Sequence, residues 1–261
     1  MAYVERENIS PEIALLRLNR PERLNAITSD LMREFLGRLD DLAADRACRA
    51  VILTGAGRGF CAGADIKGGD PITGTVPIWD SQKLFSEVTL RMRSLPQPII
   101  AAVNGPATGG GLAFTVASDI RYAAQSARFA ASFVRIGLSG CDMGTSWNLT
   151  RLVGTGRAHE LLLTGRIIDA DEACRIGLVL EVVPDGEVVH RAVKAAELIV
   201  QNSPLGVAMT KEVMWATTEI PGFRTAVELE NRTQVLMTQT ADQAEAVTAF
   251  LEKRAPRFTR G

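Results

Sequence analysis

The sequence predicts an α/β fold with parallel strand pairing, and two observations carry that prediction. Short apolar runs at 50–54, 99–103 and 119–123 alternate with stretches of helical periodicity at 28–44 and 79–95. Strands separated by helices pair parallel through crossover connections. Twice, an apolar run also passes through glycines into a small-residue segment. Residues 50–54 lead into Gly55, Gly57, Gly59 and Gly63, and residues 99–103 lead through Gly105 into Gly109, Gly110 and Gly111. A chain of 261 residues, 46% hydrophobic and 23% charged, has the composition of a folded, soluble protein: one large domain, or a domain with an appendage.

In chain order, residues 13–19 read as a strand and Arg20-Pro21-Glu22-Arg23 as a polar turn. Residues 28–44 form a helix, with Leu31, Phe35, Leu39 and Leu42 on one stripe and Thr28 or Ser29 as N-cap. The strand 50–54 opens the first glycine-rich turn. Residues 68–77, rich in Gly, Pro and Thr, read as a loop. Residues 79–95 are helical and closed by Pro96 and Pro98. The strand 99–103 is broken by Asn104-Gly105-Pro106, and the apolar segment 112–117 follows as a buried helix. From Thr145 the chain is mostly helical, with a strand at 178–183 and helices at 204–219, 223–239 and 241–253.

A strand, a glycine turn and a helix start leave backbone N–H groups unpaired, and glycine removes the Cβ that would block approach to them. The helix dipole adds partial positive charge. Such a turn holds an oxyanion or a phosphate. No Gly-x-x-x-x-Gly-Lys-Ser/Thr and no Gly-x-Gly-x-x-Gly follows a strand, so the phosphate readings fit poorly. Two facing turns can each place one N–H on a single oxygen, each donor contributing about 3 kcal/mol to an enolate or tetrahedral oxyanion.

Other function classes are excluded by composition. A formal net charge of −1 carries no nucleic-acid footprint. No apolar run is long enough to span a membrane. The opening MAYVERENIS lacks the apolar stretch of a secretion signal, and Cys48, Cys61, Cys141 and Cys174 are scattered without metal-ligand spacing. A cytoplasmic location without a metal site is therefore expected.

AVNGPATGGG and FCAGADIK, with LNRPERLNAI, LLLTGRIIDADEACRIGLV and FLEKRAPRF, resemble the crotonase (enoyl-CoA hydratase/isomerase) superfamily over essentially the whole chain. The resemblance implies a crotonase-like spiral of ββα units over residues 1–200 and a C-terminal helical oligomerisation region over 201–261. It implies an acyl-CoA substrate, with coenzyme A entering as the substrate thioester and no separate cofactor, and a homotrimer or hexamer as the assembly. The oxyanion-hole N–H groups match Ala64 and Gly110. The coenzyme A contacts match Arg23, the backbone around Ala62, Lys67, and Lys253 from the C-terminal helix.

The sequence departs from the family pattern at the acids. Hydration of an enoyl thioester uses two glutamates that share a water. Their matching positions here are Ala113 and Phe133, and no Glu lies between Gly105 and Arg157. Neither side chain present moves a proton. Between Phe133 and Arg157 one acid remains, Asp142 in RIGLSGCDMGTSWNLTRLVG; it matches the proton-transferring or nucleophilic Asp of other members, or caps the helix that starts near Thr145. A single carboxylate suffices for double-bond isomerisation. Dehalogenation also needs a histidine, and His159 and His190 lie outside the motifs. The alternatives are a hydratase with an atypical acid set and a non-catalytic acyl-CoA binder. Asp65 and Asp119 are read as loop-holding residues. Phe133, Trp79, Phe85 and Trp147 are candidates for an acyl pocket.

Overall fold

The computed structural model describes residues 2–66, 68 and 73–259. The chain opens with an antiparallel hairpin, β1 (Val4–Ser10) and β2 (Ile13–Leu18). Helix α1 (Ser29–Ala44) follows, its N-terminus capped by Thr28, whose hydroxyl accepts the Leu31 N–H at 3.2 Å. Its buried stripe is Leu31, Met32, Phe35, Leu39 and Leu42. Strand β3 (Ala50–Gly55) is buried along its whole length. Helix α2 (Thr75–Ser94) begins earlier than the loop predicted for 68–77 allows. Pro77 falls in its first turn, where no intrahelical N–H bond is lost, so the proline does not stop the helix.

Strand β4 (Ile99–Val103) leads through the two-residue β5 (Ala107–Thr108) into α3 (Gly110–Ala117), every residue of which is buried. Next come β6 (Ile120–Ala124) and β7 (Arg128–Ala130), then a 3₁₀ turn at Ser132–Ile136. The helices α4 (Thr145–Val153) and α5 (Thr155–Thr164), the strand β8 (Ile168–Asp169) and the helix α6 (Ala170–Arg175) follow. Strand β9 (Glu181–Val183) is the C-terminal half of the strand predicted at 178–183. The remaining helices are α7 (Val188–Val200), α8 (Pro204–Thr217), α9 (Phe223–Met237) and α10 (Ala241–Glu252).

The main sheet runs β1-β2-β3-β4-β6-β9, and every pair after the hairpin is parallel, as the alternation of strands and helices predicts. One face packs on α1, α2 and α3, where the Phe35 and Phe114 rings meet edge to face with centroids 5.4 Å apart. The other face is covered by α7, whose Ala192, Ala195 and Ala196 let it approach Leu15, Ile52, Ile100 and Ala102 closely. A small second sheet, β5-β7-β8, lies at the C-terminal end of β4. It joins the loop after β3 through a bridge between Cys61 and Ala107. The two glycine-rich turns therefore sit together where β3 and β4 end.

The C-terminal helices rest lightly on this body. Helix α8 is held by Lys211, whose ammonium lies 2.9 Å from the Asp119 carboxylate and donates to the carbonyls of Met92 and Gln97. Trp215 donates its indole N–H to the other Asp119 oxygen. Helix α9 has no fully buried residue, and Phe223, Leu236, Phe250 and Leu251 are exposed on α9 and α10. Among the described residues no helix is long and apolar enough to cross a membrane.

Candidate active site

The loop after β3 is shaped by two asparagines. Asn25, fully buried at φ 57°, donates to the carbonyls of Ala56, Gly59 and Phe60. Asn104 accepts the Gly55 N–H at 3.0 Å and donates to the carbonyls of Gly55 and Gly57. The glycines are needed because the backbones nearly touch. A Cβ on Gly55 would lie 2.2 Å from the Gly59 carbonyl oxygen, and one on Gly105 2.1 Å from that of Arg58. Neither asparagine is singled out by the sequence: Asn104, next to Gly105, reads as an ordinary turn residue, and Asn25, between Leu24 and Ala26, carries no local signal of its partners.

The two turns then dock on each other. Thr108 donates its N–H to the Cys61 carbonyl at 3.0 Å and its hydroxyl to the Ala62 carbonyl at 2.9 Å. Gly63, at φ +85°, faces the second turn so closely that a Cβ there would lie 2.8 Å from the Thr108 oxygen and 3.4 Å from the Gly110 nitrogen. Gly111 backs directly onto Cys61. Gly109 donates to the Ala130 carbonyl and Ala62 to that of Leu24, while Gly110 opens α3 and has no carbonyl one turn back within it. Among the described residues, neither the Ala64 N–H nor the Gly110 N–H donates to a protein acceptor. The arrangement leaves two unpaired backbone donors on adjoining turns, a geometry able to stabilise a developing oxyanion.

The side chains around these donors are largely apolar. Ala113 is fully buried one turn into α3. Phe133 is 8% exposed, and its ring edge lies 3.6 Å from where a Cβ on Gly109 would stand. Cys61 is buried, and desolvation pushes its thiol up to about 12, which makes it inert.

Asp142 comes to this place through a tight turn. Its carbonyl accepts the Thr145 N–H at 2.8 Å, and the two central residues, Met143 and Gly144, have φ values of 49° and 76°. These are the torsions of the mirror-image turn, and a methionine held there carries strain of the kind that gathers at functional sites. Met143 is buried with its sulfur 3.5 Å from where a Cβ on Gly110 would stand, so the turn bearing Asp142 packs on the second donor turn. The Asp142 side chain makes no capping bond to α4 among the described residues; the N-cap position is taken by Gly144. Its Oδ1 instead accepts a hydrogen bond from the Gln82 amide on α2, a partner with no signal in the sequence.

The remaining sequence candidates divide. Arg23 is exposed at the end of the 3₁₀ turn Pro21–Arg23, with no ion pair among the described residues. Ala62 is half-buried between the turns. Lys67 lies outside the described residues. Lys253 is exposed at the C-terminal end of α10 in the left-handed conformation. Asp65 pairs with Arg20 at 2.9 Å and accepts the Gly68 N–H, and Asp119 anchors α8, both holding structure in place. His159 and His190 are exposed. Of the acyl-pocket candidates, Phe85 packs against the main core. Trp147 stacks with Arg93 and Arg151 and lines a separate cavity of about 1090 Å³ beneath α8 and α9. Trp79 is exposed, with the Lys83 ammonium 5.4 Å from its ring centre.

The family model for enoyl-CoA hydratase/isomerase matches residues 8–261. A probable enoyl-CoA hydratase of Mycobacterium tuberculosis is 40% identical over 260 residues, covering 97% of this chain and 91% of that one. The 1,2-epoxyphenylacetyl-CoA isomerase of Escherichia coli is 35% identical over 256 residues, covering 97% of each. Among solved structures, a probable enoyl-CoA hydratase/isomerase from Mycobacterium abscessus superposes with a TM-score of 0.92 at 40% identity, covering 99% of both chains.

Proposed function

This chain belongs to the enoyl-CoA hydratase/isomerase family, and from that premise we propose that it shifts a carbon–carbon double bond in acyl-CoA thioesters, with Asp142 as its one proton carrier. The carboxylate removes a proton from a carbon beside, or conjugated with, the thioester. The electron pair moves onto the carbonyl oxygen, which the Ala64 and Gly110 N–H groups hold as an enolate. Asp142, now a carboxylic acid, returns the proton to a different carbon of the same enolate, the carbonyl re-forms and the double bond has moved. No water is consumed. Arg23, Lys67, the Ala62 backbone and Lys253 meet the coenzyme A moiety, by charge in the case of the cations. We propose a homotrimer or hexamer as the working assembly.

The observation that supports this reading is the exchange of side chains around the donors. Ala113 and Phe133 occupy the two glutamate positions as apolar groups, while the turn bearing Asp142 lies against Gly110 through Met143. Among the described residues, a site furnished in this way offers Asp142 as a base and no second acid at the two glutamate positions. The test is deuterium incorporation from heavy water into a panel of 2-enoyl- and 3-enoyl-CoAs, read by mass spectrometry. The Asp142→Asn variant should lose about 10²-fold or more, the scale of a missing general base. Its acyl-CoA affinity should change little. Equal incorporation by both proteins removes Asp142 from the chemistry. Hydration of crotonyl-CoA should be very slow in the wild type; fast hydration supports instead a hydratase with an unconventional acid set. Binding without turnover on any panel member would leave an acyl-CoA binder.

A further inference from the structure

Asp142 has two sets of donors within its local geometry. An aspartate just ahead of a helix ordinarily folds its carboxylate onto the first free N–H groups, where the dipole also favours negative charge. Asp142 stands two residues before Gly144, the N-cap of α4, and among the described residues its carboxylate accepts no N–H of that helix. The carboxylate is drawn the other way, to the amide of Gln82, an exposed residue 60 positions earlier in the chain on α2. We infer that Gln82 is the positioning residue that holds the Asp142 carboxylate at the reacting carbon and away from the end of α4. The inference rests on the reading of Asp142 as the proton carrier.

The chemistry of the pair suits that task. A neutral amide donates one N–H to Oδ1 and leaves Oδ2 open for the substrate proton. It brings no positive charge to quench the base and no proton of its own to exchange with the substrate. The bond is solvent-exposed in the free protein, so a bound acyl chain that excludes water strengthens it. The placement of α2 does not depend on this bond. The Arg93 guanidinium of α2 stacks on Trp147 of α4 at 4.5 Å and on Trp215 of α8 at 4.3 Å. Removing the Gln82 amide therefore frees the carboxylate without freeing the helix that carried it.

Gln82→Met keeps the length of the side chain and deletes the donor. In the deuterium-exchange assay its kcat should fall about tenfold, the scale of one hydrogen bond to a charged group. Its KM should stay within about twofold, because Gln82 has no part in ground-state binding. Its melting temperature should stay close to that of the wild type, since the lost bond joins two solvent-accessible side chains. The same substitution placed on Asp142→Asn should cost nothing further, because Gln82 acts only through the carboxylate. Wild-type kcat in Gln82→Met overturns the inference while leaving the role of Asp142 intact. A loss seen as raised KM, or an equal further loss in the Asp142→Asn background, also overturns it. Full exchange by Asp142→Asn alone removes the proton carrier and this inference together.

Discussion

At the scale of single residues, the site is a backbone shape held by side chains that do no chemistry. Asn104 joins the Gly55 N–H to the carbonyls of Gly55 and Gly57. Asn104→Ala orphans these groups, and the expected cost is about 2 kcal/mol in chemical denaturation. Because the loop carries Ala64, turnover should fall alongside stability. For coenzyme A the residue to change is Arg23, exposed and without an ion pair among the described residues. Arg23→Ala should weaken acyl-CoA binding several-fold in low salt, and the difference from wild type should shrink as salt screens the charge; calorimetry at two ionic strengths checks this. The residues at Ala64, Gly110, Ala113, Phe133 and Asp142 were legible because they sit inside contiguous motifs. Asn25 and Asn104 also lie inside such motifs, but their roles do not show because the carbonyls they bond lie tens of residues away, and nothing around Gln82 marks it.

At the scale of elements, the strands buried on both faces and the helices with an apolar stripe were legible, and the peripheral elements were not. Strand β1 has no counterpart in the sequence reading: only Val4 of its seven residues is fully buried, and VERENIS lacks the apolar run that marks a strand. It is a strand because β2 offers it an antiparallel edge. The start of α2 was misplaced because Pro77 looks like a terminator, although a first helical turn accepts it. Helix α8 depends on one buried cation. Burial lowers the Lys211 pKa, and the Asp119 carboxylate beside it pulls the other way. Lys211→Met leaves Asp119 without its counter-ion, and the expected loss is about 3 kcal/mol in thermal or denaturant unfolding. The tail after α10 responds to acid. The Arg254 guanidinium and the Arg257 N–H hold the Glu245 carboxyl down at about 2, against 4.5 for a free glutamate. With the folded value depressed, the contact contributes fully above the ordinary carboxylate range and is lost as pH falls toward 2. The protection of the Arg257 amide, relative to its intrinsic exchange rate at each pH, should therefore fall as pH approaches 2 in wild type, and already be low at neutral pH in Glu245→Gln.

For the whole molecule, alternating strand and helix patterns gave the parallel sheet, while the spiral arrangement came from the resemblance and not from periodicity. No local pattern encodes how β5, β7 and β8 leave the main sheet to brace the donor turns, since β5 and β8 are two residues long. The last two helices present Phe223 at 85% exposure and Phe250 at 83%, with Val235 and Leu236 exposed near the far end of α9 and Leu251 next to Phe250. Apolar surface of this kind marks an association face. Sedimentation at micromolar concentration should give three or six copies, and Phe250→Glu should lower the assembly state. A stable wild-type monomer would refute the proposed assembly while leaving the chemistry of the site to be judged separately.

The two unpaired donors at the centre of the site are main-chain atoms, and heredity treats them differently from any side chain. No codon specifies the Ala64 or the Gly110 N–H; of all substitutions at these positions, only proline deletes the hydrogen itself. A side-chain acid, by contrast, is one or two base changes from loss, and Ala113 and Phe133 stand where the resemblance would put two glutamates. Such a scaffold can change its reaction by ordinary point mutation while the part that steadies the negative oxygen stays out of mutation's direct reach. Replacing either amide by an ester through chemical ligation is the one way to edit a donor and leave every side chain in place.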